Sequence, residues 1–318
     1  MPCSTSPPRA DQSWNQADIR MRLSSRHLIL ASTYFKKMLL GSWRESTGVS
    51  GSSHLVDAEG WDENALRILM NIIHGRTRSV PRFVSLETLA KIAVLVDYYE
   101  CHEVVELVIP IWIDRLKWRL PQECCRDLVL WCLVSRVFSQ ADLFQTVTKT
   151  AVNKCKGPLP ALDLPIPGTL VDAIDRKRRQ SIDRIIIGLQ RLLSDFRDDR
   201  AGCSFECSSM LLGALTKEMK QKDFLDIQPG SSLLGFSLEA TEKVALDIRS
   251  PCWSPIPLRG SFRLPTEHAC NLNSLIVSRV GVSDGQVGGL TLDSFLEERA
   301  ILHTPFPGSF AFRPSGGL

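Results

Sequence analysis

The sequence predicts an α+β protein: an α-rich N-terminal domain with a small sheet, then a mostly helical C-terminal region with irregular segments. Three observations lead there. Apolar residues recur at helical spacing over long stretches, chiefly residues 61–118 and 172–196. Two short stretches, residues 19–23 and 54–57, read as strand instead. With 318 residues, 44% hydrophobic and 23% charged, the chain can bury two cores and has an ordinary globular composition.

Taken in order, residues 1–18 are polar and Pro-containing and are expected to be disordered. Residues 19–23 (IRMRL) alternate apolar and basic, as a half-buried strand does. Ser24 or Ser25 then caps a helical segment through Leu40; two short helices broken near Ser32 fit equally well. Residues 41–53, rich in Gly and Ser, form a loop. Asp62 caps the next helix, whose apolar residues Leu66, Leu69, Met70 and Ile73 share one face, and Gly75 ends it. Ser85 caps a helix that is apolar nearly all round, from Leu89 to Val96. Such a helix must be buried on all sides, packed between residues 62–74 and 102–116. Residues 102–116 form another helix, kinked at Pro110. These elements make up an N-terminal domain, 19–120.

A helical extension (121–156) reads as continuous helix over 122–152, and a Pro-rich linker (157–170) follows it. The C-terminal region (171–303) opens with one long amphipathic helix, 172–196, and a helix at 207–219. From Phe224 on, the pattern weakens into short strands or irregular coil. Residues 304–318 are expected to be a disordered tail.

Several phrases are distinctive. They are Arg22-Leu23-Ser24-Ser25-Arg26-His27-Leu28-Ile29-Leu30-Ala31-Ser32, Tyr34-Phe35-Lys36-Lys37-Met38-Leu39 and Trp43-Arg44-Glu45-Ser46. With them stand Asn71-Ile72-Ile73-His74-Gly75-Arg76 and Leu95-Val96-Asp97-Tyr98-Tyr99-Glu100-Cys101. In these phrases and in element order, the first third of the chain resembles the BTB/POZ domain in its divergent fungal form. One departure is plain: the opening hairpin retains only its second strand, residues 19–23. The resemblance implies a BTB fold and a protein–protein interaction role.

Ten cysteines in a chain without a secretory segment are expected to stay mostly reduced. Cys124, Cys125 and Cys132 read as small core residues. Cys203 and Cys207, with His268 and Cys270, form two ligand pairs suited to a structural zinc; Cys252 competes as a ligand. The alternative is a set of buried thiols and a surface histidine. A zinc with four protein ligands has no open position, so it would be structural rather than catalytic.

Gly281-Val-Ser283-Asp-Gly285 matches a nucleophile elbow. Such an elbow needs a strand before it, at residues 275–280, and a helix after it, where Gln286-Val-Gly-Gly289 is poor helix. A Gly/Ser turn is the simpler reading. Arg176, Lys177, Arg178 and Arg179 form a basic cluster on a helix, read as a solvated face and otherwise as a nuclear-import or phosphate contact. His74 and His102 read as caps or surface residues, Trp112 and Trp118 as core or rim.

The expected function is therefore a non-enzymatic, BTB-type interaction module, an adaptor or scaffold in a ubiquitin-ligase or regulatory complex. Its expected partner is another protein, either a second copy or a cullin scaffold. Leu55-Val56-Asp57 only loosely approaches the signature of cullin adaptors. A transcription-related protein touching nucleic acid through Arg176–Arg179 is the alternative; serine hydrolysis at Ser283 is more remote. A net charge of +3 argues against nucleic acid by itself. No apolar run approaches a membrane span. The expected location is intracellular, cytoplasmic or nuclear.

Overall fold

The computed structural model describes residues 19–40, 56, 58, 60–228, 230–252, 270–282 and 287–296. Thirteen α-helices are found among them. The first six are α1 (Ser25–Ala31), α2 (Thr33–Leu40), α3 (Glu63–Ile73), α4 (Leu86–Tyr98), α5 (His102–Val105) and α6 (Ile109–Leu116). Then come α7 (Arg126–Val137), α8 (Ala141–Lys154), α9 (Gly168–Arg197), α10 (Phe205–Gln221), α11 (Leu238–Leu246), α12 (Leu272–Leu275) and α13 (Asp293–Leu296). A π turn, Ile276–Val280, continues α12.

The described residues contain no strand, so the α+β expectation is wrong and the chain is all-α there. Residues 19–24 are irregular although their sequence alternates. A strand needs a partner ladder for its backbone groups, and none lies beside this one among the described residues. The Ser24 N–H donates instead to Nε2 of His74 at 2.9 Å. Of residues 54–57 only Val56 is described, and it is not strand. The late region read as strands or coil contains α11, whose cap is Ser237: its Oγ accepts from the Ala240 N–H at 3.3 Å. The segments 1–18, 41–53 and 304–318 lie outside the described residues.

Two expected caps form as read. Asp62 Oδ1 accepts from the Ala65 N–H at 2.9 Å and Ser85 Oγ from the Thr88 N–H at 3.1 Å. Burial alone would raise the Asp62 carboxyl, but hydrogen bonds from Lys91 and Ala65 outweigh it and hold the carboxyl below its usual range. The first helical segment splits at Ser32, which is extended. Its Oγ donates to the Tyr99 carbonyl and accepts from the Phe35 N–H. Residues 102–116 break into α5 and α6 rather than kink. Pro110 sits in the first turn of α6, where its missing N–H costs nothing. Residues 122–152 also break, at Ser139, whose φ is +54°.

α4 is buried all round, as its composition requires. One of its walls is the expected one, α3; the other is α7 in place of residues 102–116. α7 can serve because Leu128 through Val134 are all buried. The Pro-rich segment packs too, with Leu159, Leu164 and Ile166 buried. Arg136 of α7 pairs with Asp97 of α4 at 3.0 Å and donates to the Pro165 carbonyl at 3.4 Å, joining all three pieces.

α9 organises the second half. It has 30 residues, about 45 Å at 1.5 Å per residue, and packs against α8, α10, α11 and the π turn. Gly188 permits the closest approach, because a Cβ there would meet Val280 Cγ1 at 2.6 Å and Val280 Cα at 3.3 Å. In an open helix, Gly→Ala gains about 1 kcal/mol. Here overpacking of about 1–3 kcal/mol opposes it, and one of the atoms met is backbone. Gly188→Ala is thus expected to lower the melting temperature; a rise would show that the π turn yields freely.

Candidate functional site: a three-cysteine cluster and an exposed aromatic face

The start of α10 sets the first two cysteines. Ser204 is its cap, and its Oγ accepts from the Cys207 N–H at 3.2 Å. Cys203 stands just before the cap and Cys207 in the first turn, so the helix start brings both thiols to one side. The approach is fixed as well: Gly202 has φ +100°, and Ser208 Oγ donates to Asp199 at 2.6 Å. Cys270 arrives from the start of α12, where Asn271 caps the helix and the Leu272 N–H donates to Ser250 Oγ at 3.0 Å. Leu272 is fully buried and anchors this end.

The three sulfurs lie within 4.8 Å of one another. Cys207 is buried, Cys270 half-buried and Cys203 exposed. Burial, then hydrogen bonds and repulsion from Cys207 and Cys203, pushes the Cys270 thiol up to about 11. Three thiols held this close can hold a metal ion. Tetrahedral zinc with Zn–S bonds of about 2.3 Å would set the sulfurs about 3.8 Å apart, within reach of this arrangement. Cys252 is exposed and does not join the group. His268 lies outside the described residues, but it is two positions from Cys270 and so within about 7 Å of chain.

The other cysteines divide differently from the expectation. Cys124 is bonded to Cys155 in a disulfide spanning 31 positions, so it is not a free core thiol. Cys125 beside it is exposed. Cys132, fully buried, is the core residue expected, and burial pushes its thiol up to about 12. Periodicity could not show that the end of α8 returns to the turn before α7.

The basic cluster is a solvated face only in part: Arg176 and Arg179 are exposed and Lys177 is half-buried, but Arg178 turns inward. Arg178 is 1% exposed. It forks onto Asp175 Oδ1 at 2.7 and 3.0 Å and donates to the carbonyls of Leu233 at 2.9 Å and Phe236 at 2.7 Å. Lys177 donates to the Gly289 carbonyl at 2.9 Å, and Arg179 pairs with Asp175 at 2.9 Å. Within the cluster, Arg176 alone is an exposed cation with no ion pair among the described residues. The sequence hint was Asp175, three and four positions before Arg178 and Arg179.

The elbow lacks its framework. Residues 275–280, its required strand, are the end of α12 and the π turn, and Gly281 closes them at φ +72°. Ser283 itself lies outside the described residues. His74 works as a backbone anchor: Nδ1–H donates to the Met70 carbonyl at 2.8 Å while Nε2 accepts from Ser24. His102 opens α5 and faces Asp97 at 3.8 Å.

A surface the sequence did not announce surrounds α6. Leu107 is 86% exposed, Ile111 50%, Phe83 74% and Trp118 69%. Leu107, Ile111 and Arg115 repeat at four-residue spacing and so follow one side of this stretch. The Arg115 guanidinium covers the Phe83 ring at 4.1 Å and donates to the Arg82 carbonyl at 2.7 Å. Arg119 covers the Trp118 ring at 4.2 Å, and the Trp118 indole N–H donates to the Arg115 carbonyl at 2.6 Å. Trp112 points the other way, fully buried, with its N–H on the Pro81 carbonyl at 2.9 Å.

Fold and site define a class: an all-α protein, in its described residues, with a three-cysteine cluster able to hold a metal ion. No protein-family model, curated protein or solved structure matches the chain. No described helix is long and apolar enough to cross a membrane.

Proposed function

We propose that the chain is a non-enzymatic protein–protein interaction module, with the outer face of α6 as its docking surface. The observation that carries this reading is the exposed set Leu107, Ile111, Phe83 and Trp118, its aromatic rings covered by Arg115 and Arg119. Aromatic residues and arginine are the side chains that dominate binding energy at protein interfaces. The order of helices in the N-terminal third supports the same reading through the BTB resemblance, although the described residues hold no sheet. The partner is a second copy or a cullin-type scaffold. Nucleic acid is disfavoured, because Arg178 is buried and Lys177 and Arg179 are engaged within the chain.

Light scattering over a concentration range, and pull-down with a cullin scaffold, test this. Leu107→Asp with Ile111→Asp should weaken whichever association is seen by at least about 2 kcal/mol, roughly thirtyfold, as expected for interface anchors. Association with neither partner, or association unchanged in the double variant, would reject the docking surface.

The metal reading is a structural zinc held by Cys203, Cys207, Cys270 and His268. Thiolate and imidazole ligands favour zinc, and four protein ligands make the site closed. The ion would tie the start of α10 to the segment entering α12. Metal content of the purified chain tests it.

A further inference from the structure

We infer that the groove between α9 and the π turn is a docking groove for an acidic peptide segment of a protein partner. The inference rests on the interaction-module reading and adds the chemistry of a partner. The groove has a volume of about 820 Å³ and is lined by one face of α9, from Gln180 to Asp195, with Arg279 and Val280 as the facing wall. Those fifteen steps of helix make it about 22 Å long. That is far longer than a single phosphate or carboxylate needs, and it suits a helical or extended peptide.

Charge selects the class of peptide. Three arginines line the groove, Arg184, Arg191 and Arg279, against two acids, Asp183 and Asp195. Both acids are engaged within the chain. Asp183 accepts from the Gly230 N–H at 3.1 Å, and Asp195 pairs with Arg200 at 3.0 Å and Arg279 at 3.1 Å. Arg184 and Arg191 are exposed and make no ion pair among the described residues. They stand seven residues apart, about 10 Å, on the same side of α9. Arginine takes carboxylates in a two-point fork, so two carboxylates about 10 Å apart on one peptide would engage both. Between them the floor is apolar: Ile187 is half-buried and available to the peptide's non-polar side chains, with the buried Val280 packed behind it against Gly188. A small anion would leave that floor uncovered.

An array of random 15-residue peptides, probed with the full chain, tests this. Bound peptides should be at least about twofold enriched in Asp and Glu. Arg184→Glu with Arg191→Glu should weaken the best of them about tenfold or more by fluorescence anisotropy, since like charges then face each other. Circular dichroism and melting temperature of that variant should match the parent, because both side chains are exposed and unpaired. The Leu107→Asp/Ile111→Asp variant should keep acidic-peptide binding, so failure of the groove is distinguishable from failure of the α6 surface. Absence of acidic enrichment, or enrichment unchanged in the arginine variant, would overturn the proposal. So would complete displacement of the bound peptides by an equimolar amount of inorganic tripolyphosphate, which would mark a small-anion site instead.

Discussion

Arg178→Leu is expected to destabilise the chain by about 3–5 kcal/mol, the range for removing one partner of a buried ion pair. The cause is local and complete. Arg178 is buried and gives donors to Asp175, the Leu233 carbonyl and the Phe236 carbonyl. It thereby fastens the chain just before α11 to the middle of the α9 face. Leucine leaves the buried Leu233 carbonyl and the part-buried Phe236 carbonyl without that donor, and it leaves Asp175 with Arg179, which is half exposed. Lysine keeps the charge but not the fork, so Arg178→Lys should fall between parent and leucine variant. Asp175→Leu combined with Arg178→Leu should cost less than the sum of the two single changes, because no buried charge remains. Chemical denaturation midpoints measure all four proteins. A loss below about 1 kcal/mol in Arg178→Leu, the size of an exposed pair, would show that water reaches the pair.

The zinc site carries the second large expected effect. Protein purified without chelator should contain about one zinc per chain, as one tetrahedral Cys3His site requires. Cys207→Ser and Cys270→Ser should each abolish it, and His268→Ala should weaken retention against a competing chelator. Binding must remove protons from thiols, so affinity should rise with pH and fall as the solution is made acid. The Cys270 thiol, pushed up to about 11, is protonated at neutral pH, which fixes that sign. Metal removal should lower the melting temperature of the parent and leave that of Cys207→Ser unchanged. Metal-free parent protein that takes up no added zinc would end the idea, as would an unchanged metal content in Cys270→Ser.

The candidate site was partly legible in the sequence. Cys203 and Cys207 lie four positions apart across a Ser204 cap, and a helix start brings such a pair together locally. Cys270 could be nominated by residue type alone, because the fold of 62 intervening positions decides its convergence with Cys207. Cys252 had the same chemistry and similar remoteness, and it stays outside the group. The α6 surface was less legible. Phe83, Leu107, Ile111 and Trp118 look like core residues in a sequence, and only packing decides which apolar residues remain outside.

What the sequence determined by itself is what depends on neighbours along the chain. Asp62, Ser85 and Ser204 cap helices because their side chains reach N–H groups within three residues. α4 is buried all round because it has almost no polar face to offer water. The long period of α9 is visible for the same reason. The tertiary structure decided what depends on distant partners. Residues 19–23 alternate like a strand, yet among the described residues no second strand lies beside them to accept their backbone hydrogen bonds. α7, not α6, closes over α4. Arg178 turns inward from a basic run because two carbonyls near residue 235 await it. Cys124 and Cys155 meet because α7 and α8 fold back on each other. Periodicity records which face a helix buries; it holds no record of what will cover that face.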